Sequence, residues 1–224
     1  MKKVPINQIY LKFHIPKNLA MHMLWVTSIG ALAIENWSGS AIDQNQVISA
    51  LLLHDIGNVI KFELGSSQVK KLYSKQELEK LVIVQKQMID LYGDNADIAN
   101  ILILKKLRVD KQIIQLLDNH SFDFLPTLLD SENWNEKIVF YSDLRVAPWG
   151  IVSVTQRIKN LKERYCHRNP DWNNNSLYKK WLNWSTQLED QLNQHTKIDL
   201  KSLSQHQIEE KVLELSDYQI SVEL

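Results

Sequence analysis

Apolar residues recur every three or four positions along most of this chain, which is the spacing of an amphipathic α-helix and not the alternation of a half-buried strand. One such stripe follows Pro16 and passes through Leu19, Val26 and Ile29. It predicts a helix that begins near Pro16, since proline is tolerated in the first turn, and ends near Trp37.

The next apolar run, Val47 to Leu53, is hydrophobic on almost every side, which is typical of a helix buried at the centre of a domain. Asp43 precedes the run and is predicted to cap the N-terminus of this helix. Gly57 follows the run and predicts its end.

Similar periodicity predicts further helices near residues 75–91, 95–106, 110–118 and 133–147. Ser153 and Gln156 form a capping box that opens another helix, and the polar segment 169–175 separates it from one or two amphipathic C-terminal helices. With 6 Gly and 5 Pro, the chain lacks the turns that many short strands need. We therefore predict an all-α fold, a single-domain helical bundle comprising residues 1–170 with a helical extension, residues 171–224, packed on it.

The composition is that of a folded protein, because 44% of the 224 residues are hydrophobic and 23% are charged. Lys plus Arg and Asp plus Glu number 26 each, so no overall field attracts the chain to nucleic acid or to an anionic membrane. No apolar segment is long enough for a membrane span. We expect neither nucleic acid nor membrane as a partner.

Cysteine usage points to a reducing compartment. Cys166 is the single cysteine, so an internal disulfide and the zinc modules built from paired cysteines are excluded. The N-terminus has a basic start but no apolar segment of the kind that directs export. The expected location is the cytoplasm.

Two ionisable residues stand on otherwise apolar helix faces. Asp143 shares a predicted face with Val139 and Val146, and a buried carboxylate needs a cation, a metal or a cleft. The simpler alternative for Asp143 is a salt bridge to Arg145 or to a neighbouring lysine. His22 lies on the stripe of the first helix, where a single histidine is more often a structural residue that donates to a backbone carbonyl.

A third element strengthens the case for a metal site. His54 and Asp55 stand together at the end of the central apolar helix. Adjacent helical side chains diverge, yet both can reach an ion that lies between their directions at a helix end.

A helix with one histidine, an apolar helix ending in His-Asp-Ile-Gly and a later helix with an aspartate together resemble the HD superfamily. The segment from Tyr141 to Gly150, with Arg157 and Arg164 after it, is also similar to the final-aspartate segment of bacterial HD-domain proteins. The resemblance covers roughly residues 16–168. It implies an HD-type helical domain and a metal-dependent phosphohydrolase that acts on a small phosphorylated metabolite, a nucleotide being the favoured class.

The same resemblance implies that one divalent cation is held by four ligands, His22, His54, Asp55 and Asp143. Imidazole and carboxylate donors suit Mn²⁺, Fe²⁺ or Zn²⁺, with Mg²⁺ as a further option. Four protein ligands on a six-coordinate ion leave positions for water and a substrate oxygen.

The chain departs from the family pattern at two places. Asn58 stands where many members carry a lysine, and Lys61, one helical step farther, is the expected substitute. Two further histidines that bind a second metal in some members are missing, since His120 is the only histidine between Asp55 and Asp143. One metal is therefore expected, with Asp97 and His120 as outside candidates for extra coordination.

The catalytic roles follow from the chemistry of phosphate hydrolysis. Asp55 is expected to orient or deprotonate the attacking water, and Arg145 and then Lys61 to supply positive charge to the phosphate oxygens. Arg157 and Arg164 can extend this anion site, although such arginines are more often solvated helix charges. Trp149 either stacks on a base or covers the core.

Two other functions remain open. The first is a catalytically inactive HD-fold module that binds a metal or a nucleotide for regulation, suggested by Asn58 and the missing histidines. The second is an interaction protein whose C-terminal helices, around 177–192 and 208–215, dock a partner or a second copy, giving a homodimer. Trp181, Trp184 and Leu188 share a face there, and such faces are more often core than interface.

Overall fold

α-Helices form most of the protein in the computed structural model, which describes residues 2–118 and 121–223. The prediction of an all-α fold is confirmed. The described part of the N-terminal half contains one short strand and seven helices: β1 (Lys2–Pro5), α1 (Ile6–Lys12), α2 (Lys17–Glu35), α3 (Gln44–Leu53), α4 (Ser67–Leu72), α5 (Lys75–Tyr92), α6 (Ala96–Lys106) and α7 (Lys111–Leu117).

The C-terminal half continues with helices and two very short strand pairings. Its described elements are α8 (Leu125–Asp130), α9 (Trp134–Asp143), β2 (Val146–Ala147), β3 (Gly150–Ile151), α10 (Val154–Tyr165), α11 (Asn175–Gln194), α12 (Gln205–Leu215) and β4 (Gln219–Val222). Single 3-10 turns lie between helices at Asn58–Lys61, Phe122–Phe124, Pro170–Asn173 and Leu200–Ser202.

Helix starts agree with the caps predicted from the sequence. The Asp43 carboxylate accepts from the backbone N–H of Gln46 at 3.0 Å and caps α3. Ser153 and Gln156 form the reciprocal bonds of a capping box at the start of α10. These bonds satisfy amides that have no partner within the helix, so the chain enters each helix at a defined residue.

The central helix of the core is α3, whose residues from Val47 to Leu53 are all buried. α2 and α9 pack against it, and α2 approaches closely at Gly30, where a side chain would meet Leu51 and Ser142. Ser142 precedes Asp143 in α9. This packing of three helices brings the middle of α2 near the ends of α3 and α9.

The C-terminal helices share the core of the preceding domain. Trp181 and Leu188 of α11 are buried in the same hydrophobic cluster as α2 and α3, and α12 packs on α2. The interpretation of this face as core is therefore confirmed for these two residues, while Trp184 is half-buried. In the described part of the chain, no helix has both the length and the hydrophobicity to cross a lipid bilayer.

The helix that carries Asp143 is shorter than predicted. It ends at Asp143 and not near residue 147, because the backbone N–H of Val152 donates to the carbonyl of Arg145 at 2.8 Å and the chain folds back. Val146 and Ala147 pair with Ile151 and Gly150 as an antiparallel hairpin. Val146 therefore does not share a helical face with Asp143, as the periodicity had predicted.

A strand pairing between the chain ends was not predicted. β1 and β4 are antiparallel, with Lys2 opposite Val222 and Pro5 opposite Gln219. Each strand has four residues, which is too short for a clear alternation of polar and apolar positions. The pairing ties the C-terminal extension to the start of the chain.

Candidate metal centre

Three helices bring four predicted ligands together. His22 projects from α2, His54 caps the end of α3, Asp55 follows it, and Asp143 ends α9. Nε2 of His22 lies 3.2 Å from Oδ1 of Asp143 and 3.6 Å from Oδ2 of Asp55. Nε2 of His54 lies 3.8 Å from the same oxygen of Asp55 and 3.9 Å from that of Asp143.

The spacing of these atoms fits a single ion. One donor atom each from His22, His54 and Asp143 lies within 4.8 Å of the others. Around an ion with bonds of about 2.1 Å, neighbouring donors of an octahedron are about 3.0 Å apart and opposite donors about 4.2 Å. Asp55, which contacts both imidazoles, is close enough to act as the fourth ligand after a small shift.

The imidazole of His54 presents an unshared nitrogen to this cluster. Its Nδ1 lies 2.6 Å from the carbonyl oxygen of Leu51, and a carbonyl accepts, so Nδ1 carries the hydrogen. Nε2 is buried and has no hydrogen-bond partner among the described residues, and in the neutral imidazole it holds a lone pair. A buried acceptor without a partner is unfavourable, and a metal ion would satisfy it.

The electrostatics of the cluster favour a neutral His22 and an ionised Asp143. Burial lowers the pKa of His22, although the hydrogen bond to Asp143 opposes that shift. Burial alone raises the pKa of Asp143, but the charge of Arg157 and the hydrogen bond to His22 outweigh it and hold that pKa well below its usual range. An ionised carboxylate can coordinate a metal directly, and a neutral imidazole can do so through a ring nitrogen that carries no hydrogen.

The cluster opens to solvent on its carboxylate side. The side chains of His22 and His54 are 13% and 6% exposed, whereas those of Asp55 and Asp143 are 23% and 29% exposed. The imidazoles therefore lie on the buried side of the site. An ion held here would be reachable from solvent on the carboxylate side.

The turn after Asp55 depends on a close approach between two segments. The backbone N–H of Gly57 donates to Oδ1 of Asn100 in α6 at 3.1 Å. A Cβ at Gly57 would lie 2.7 Å from both the carbonyl oxygen of Ala96 and the amide nitrogen of Asn100. Asn58, the departure from the family pattern, is buried just after this turn.

Lys61 ends the 3-10 turn that follows Asp55. Its side chain is exposed and forms no ion pair within the described ranges. Burial acts to raise the pKa of Asp55, but the charges of His54 and then Lys61 are among the effects that outweigh burial and lower that pKa. The side-chain amide of Gln85 in α5 holds the turn that carries Lys61, donating at 3.0, 3.2 and 2.8 Å to the carbonyl oxygens of Val59, Ile60 and Phe62.

The geometry does not support the predicted role of Arg145. Its guanidinium is buried and donates to the carbonyl of Val152 at 2.8 Å, to the hydroxyl of Tyr141 at 2.6 Å, and to the carbonyl of Leu200. It also lies 3.4 Å from the carboxylate of Glu189 in α11. Because α9 ends at Asp143, Arg145 points into the contact with the C-terminal extension.

Arg157 is the arginine that reaches the cluster. It projects from α10, is buried, and donates from a terminal nitrogen to Oδ1 of Asp143 at 3.1 Å. The sequence indicated Arg157 as an extension of an anion site and ranked it below Arg145. The structure reverses this ranking of the two arginines, because the hairpin after Asp143 directs Arg145 away from the cluster and brings α10 back to the end of α9.

The remaining candidates lie outside the cluster. Asp97 is exposed in the first turn of α6, and His120 lies outside the described residues. Arg164 packs over the ring of Tyr165 at 5.1 Å. Trp149 is 66% exposed in the hairpin, so it does not cover the core.

Two residues that position the site were missed by the sequence interpretation, Asn100 and Gln85. Each is a polar residue on a helix far along the chain from the turn it holds, so no local pattern marks it. Comparisons with family models, curated proteins and solved structures found no match to this chain.

Proposed function

We propose that this protein is a metal-dependent phosphohydrolase of the HD type, with a small phosphorylated metabolite as its substrate and a nucleotide as the favoured class. The observation that carries the proposal is the buried Nε2 of His54. It lacks a hydrogen-bond partner in the described chain and faces the carboxylates of Asp55 and Asp143.

The donor set favours one divalent ion such as Mn²⁺, Fe²⁺ or Zn²⁺, with Mg²⁺ as a further option, held by His22, His54, Asp55 and Asp143. Such an ion supplies a Lewis acid that lowers the pKa of water and polarises a phosphoryl oxygen.

The chain's own groups supply the rest of the chemistry. Asp55 is partly exposed beside both imidazoles, so its carboxylate can accept a hydrogen bond from the attacking water and orient it. Lys61 and Arg157 place positive charge next to the two carboxylates, where the phosphate oxygens would lie. Arg145 has no part in this proposal, because its donors bind backbone and side chains of the core.

A test begins with metal analysis of protein purified without chelators, followed by a panel of phosphoesters with added Mn²⁺, Fe²⁺, Zn²⁺ or Mg²⁺. We expect bound metal and hydrolysis of at least one phosphoester. The double variant His54→Ala/Asp55→Ala should lose both while keeping its helical circular dichroism. His206→Ala is the matched control, since that imidazole is 82% exposed and lies away from the cluster on α12.

The results separate the proposal from its alternative. Turnover that survives in the double variant would exclude this mechanism. Metal and phosphoester binding without turnover, across the whole panel, would identify the inactive regulatory module instead.

A further inference from the structure

Two basic side chains, Arg157 and Lys61, accompany the carboxylates of the cluster. On one side, Arg157 donates to Oδ1 of Asp143 at 3.1 Å. Its Nε is buried and has no partner among the described residues, so the guanidinium is not fully used by that ion pair. On the other side, Lys61 ends the 3-10 turn that directly follows the segment carrying Asp55, and it has no ion pair in the described part of the chain.

The backbone around Lys61 is held from two directions. Gln85 of α5 donates to the carbonyl oxygens on either side of it, as described above. Arg168, which follows α10, lies 3.5 Å from the carbonyl oxygen of Lys61 itself and also pairs with Glu63. Glu63 therefore pairs with Arg168 and not with Lys61, whose ammonium group forms no ion pair among the described residues.

A count of charges then describes the loaded site. A divalent ion offsets the two carboxylates of Asp55 and Asp143, and neutral imidazoles add nothing. Arg157 and Lys61 therefore leave a surplus of about +2. A phosphate monoester carries about −1.5 to −2 at pH 7, whereas a diester carries a single negative charge.

We propose that the site selects a terminal phosphate group, that is a phosphate monoester, over a phosphate diester. The inference rests on the proposed function and narrows its substrate class. The monoester dianion matches the surplus charge of about +2, while the single charge of a diester offsets only about half of it. A diester also has a second ester substituent, which must lie where Lys61 and Arg157 otherwise meet phosphate oxygens.

The experiment measures binding first and hydrolysis second. Protein loaded with Mn²⁺, with metal content determined on the same sample, is titrated with inorganic phosphate and with dimethyl phosphate at pH 7.5 by calorimetry. Inorganic phosphate is expected to bind about tenfold or more tightly than dimethyl phosphate, because one more charged hydrogen bond forms. The same sample should hydrolyse p-nitrophenyl phosphate faster than bis(p-nitrophenyl) phosphate.

Charge-removing variants locate the preference. Lys61→Gln should weaken phosphate binding about tenfold while changing dimethyl phosphate binding much less, and Lys61→Arg should restore the difference. Lys111→Gln is the matched control. That lysine is exposed at the start of α7. Its neighbour Gln112 accepts a hydrogen bond from Gln46, which lies in the first turn of α3, whereas His54 lies at the other end of that helix.

The outcomes distinguish this inference from the proposed function. A sample that takes up no metal overturns the proposed function and the inference with it. A metal-loaded sample that binds both anions equally, or hydrolyses the diester faster, overturns the inference alone. So does a preference for phosphate that Lys61→Gln leaves unchanged, because the surplus charge would then not be its cause.

Discussion

Arg157 and Asp143 form an ion pair across two helices, with a terminal guanidinium nitrogen 3.1 Å from Oδ1 of the carboxylate. The same oxygen lies 3.2 Å from Nε2 of His22. Asp143 is thus held between a permanent cation and an imidazole before any metal binds. This pair orients the carboxylate and keeps it ionised. Groups that are hydrogen-bonded to metal ligands usually have the same effect in metal sites.

Loss of the Arg157 side chain should destabilise the metal-free protein. Arg157→Gln in EDTA is expected to lower the free energy of unfolding at pH 7.5 by about 1–3 kcal/mol, since a charged hydrogen bond is lost and a partly buried carboxylate is left unpaired. Arg157→Lys should lose less. Urea unfolding followed by circular dichroism measures both.

The effect of Arg157→Gln should depend on pH. The pKa of Asp143 is depressed in the folded protein, burial opposing and Arg157 favouring the shift. The stability from the ion pair is therefore present above the unfolded pKa, about 3.9, and is lost as the pH falls through the folded pKa. The difference in the free energy of unfolding between wild type and Arg157→Gln should shrink below about pH 4. Parallel curves of this free energy against pH would show that the ion pair is not the source of the difference.

His22 predicts a second pH effect in the metal-free protein. Burial lowers its pKa, so the folded chain binds this proton less readily than the unfolded chain, whose imidazole titrates near pH 6.5. Stability is present above about pH 6.5 and is lost as the pH falls through the folded pKa. In EDTA, the free energy of unfolding should decrease as the pH falls from about 6.5 towards the folded pKa. His22→Gln should make the free energy of unfolding less dependent on pH in this range. An unchanged slope of that free energy against pH in the variant would contradict the assignment to His22.

The turn after Asp55 should not tolerate a side chain at Gly57. Its φ of −86° suits any residue, so the obstacle is steric: a Cβ would lie 2.7 Å from two backbone atoms of α6. Gly57→Ala is expected to cost about 1–3 kcal/mol and to weaken metal binding, because the displaced turn carries Asp55. Gly65→Ala is the control, since a Cβ there would meet no atom within 4 Å, and it should change stability by less than about 0.5 kcal/mol.

Arg145 should behave as a structural residue. Arg145→Ala leaves the carboxylate of Glu189 buried without its cation, so we expect a loss of about 3–5 kcal/mol in the free energy of unfolding. Arg164→Ala, on a half-buried arginine that packs over Tyr165, should lose about 1 kcal/mol or less. A variant at Arg145 that kept full stability but bound phosphate weakly would restore its role as a substrate contact.

Much of the helical framework was predictable because it is local. The spacing of apolar residues, the Asp43 cap and the Ser153 capping box depend on neighbours within a few positions. The extent of α9 was not predictable, because its end depends on Val152 pairing with Arg145. The strand pairing of residues 2–5 with residues 219–222 likewise joins segments from opposite ends of the chain.

The candidate ligands were visible as ionisable side chains on apolar faces or at the end of a buried helix. Their neighbours were harder to judge. Arg145 is two residues from Asp143 in the sequence, and Arg157 is fourteen residues away, yet Arg157 makes the contact. Distance along the chain misleads here because a hairpin reverses the backbone between the two arginines.

The sequence by itself determined the all-helical class, the buried central helix and the residue types that can hold an ion, because each follows from periodicity or from side-chain chemistry at a single position. The tertiary structure decided that His22, His54 and Asp143 converge with Asp55 beside the two imidazoles, that Arg157 and not Arg145 joins them, and that Gln85 holds the turn of Lys61. Those relationships arise from the packing of helices distant in the chain, and packing depends on all of their surfaces together.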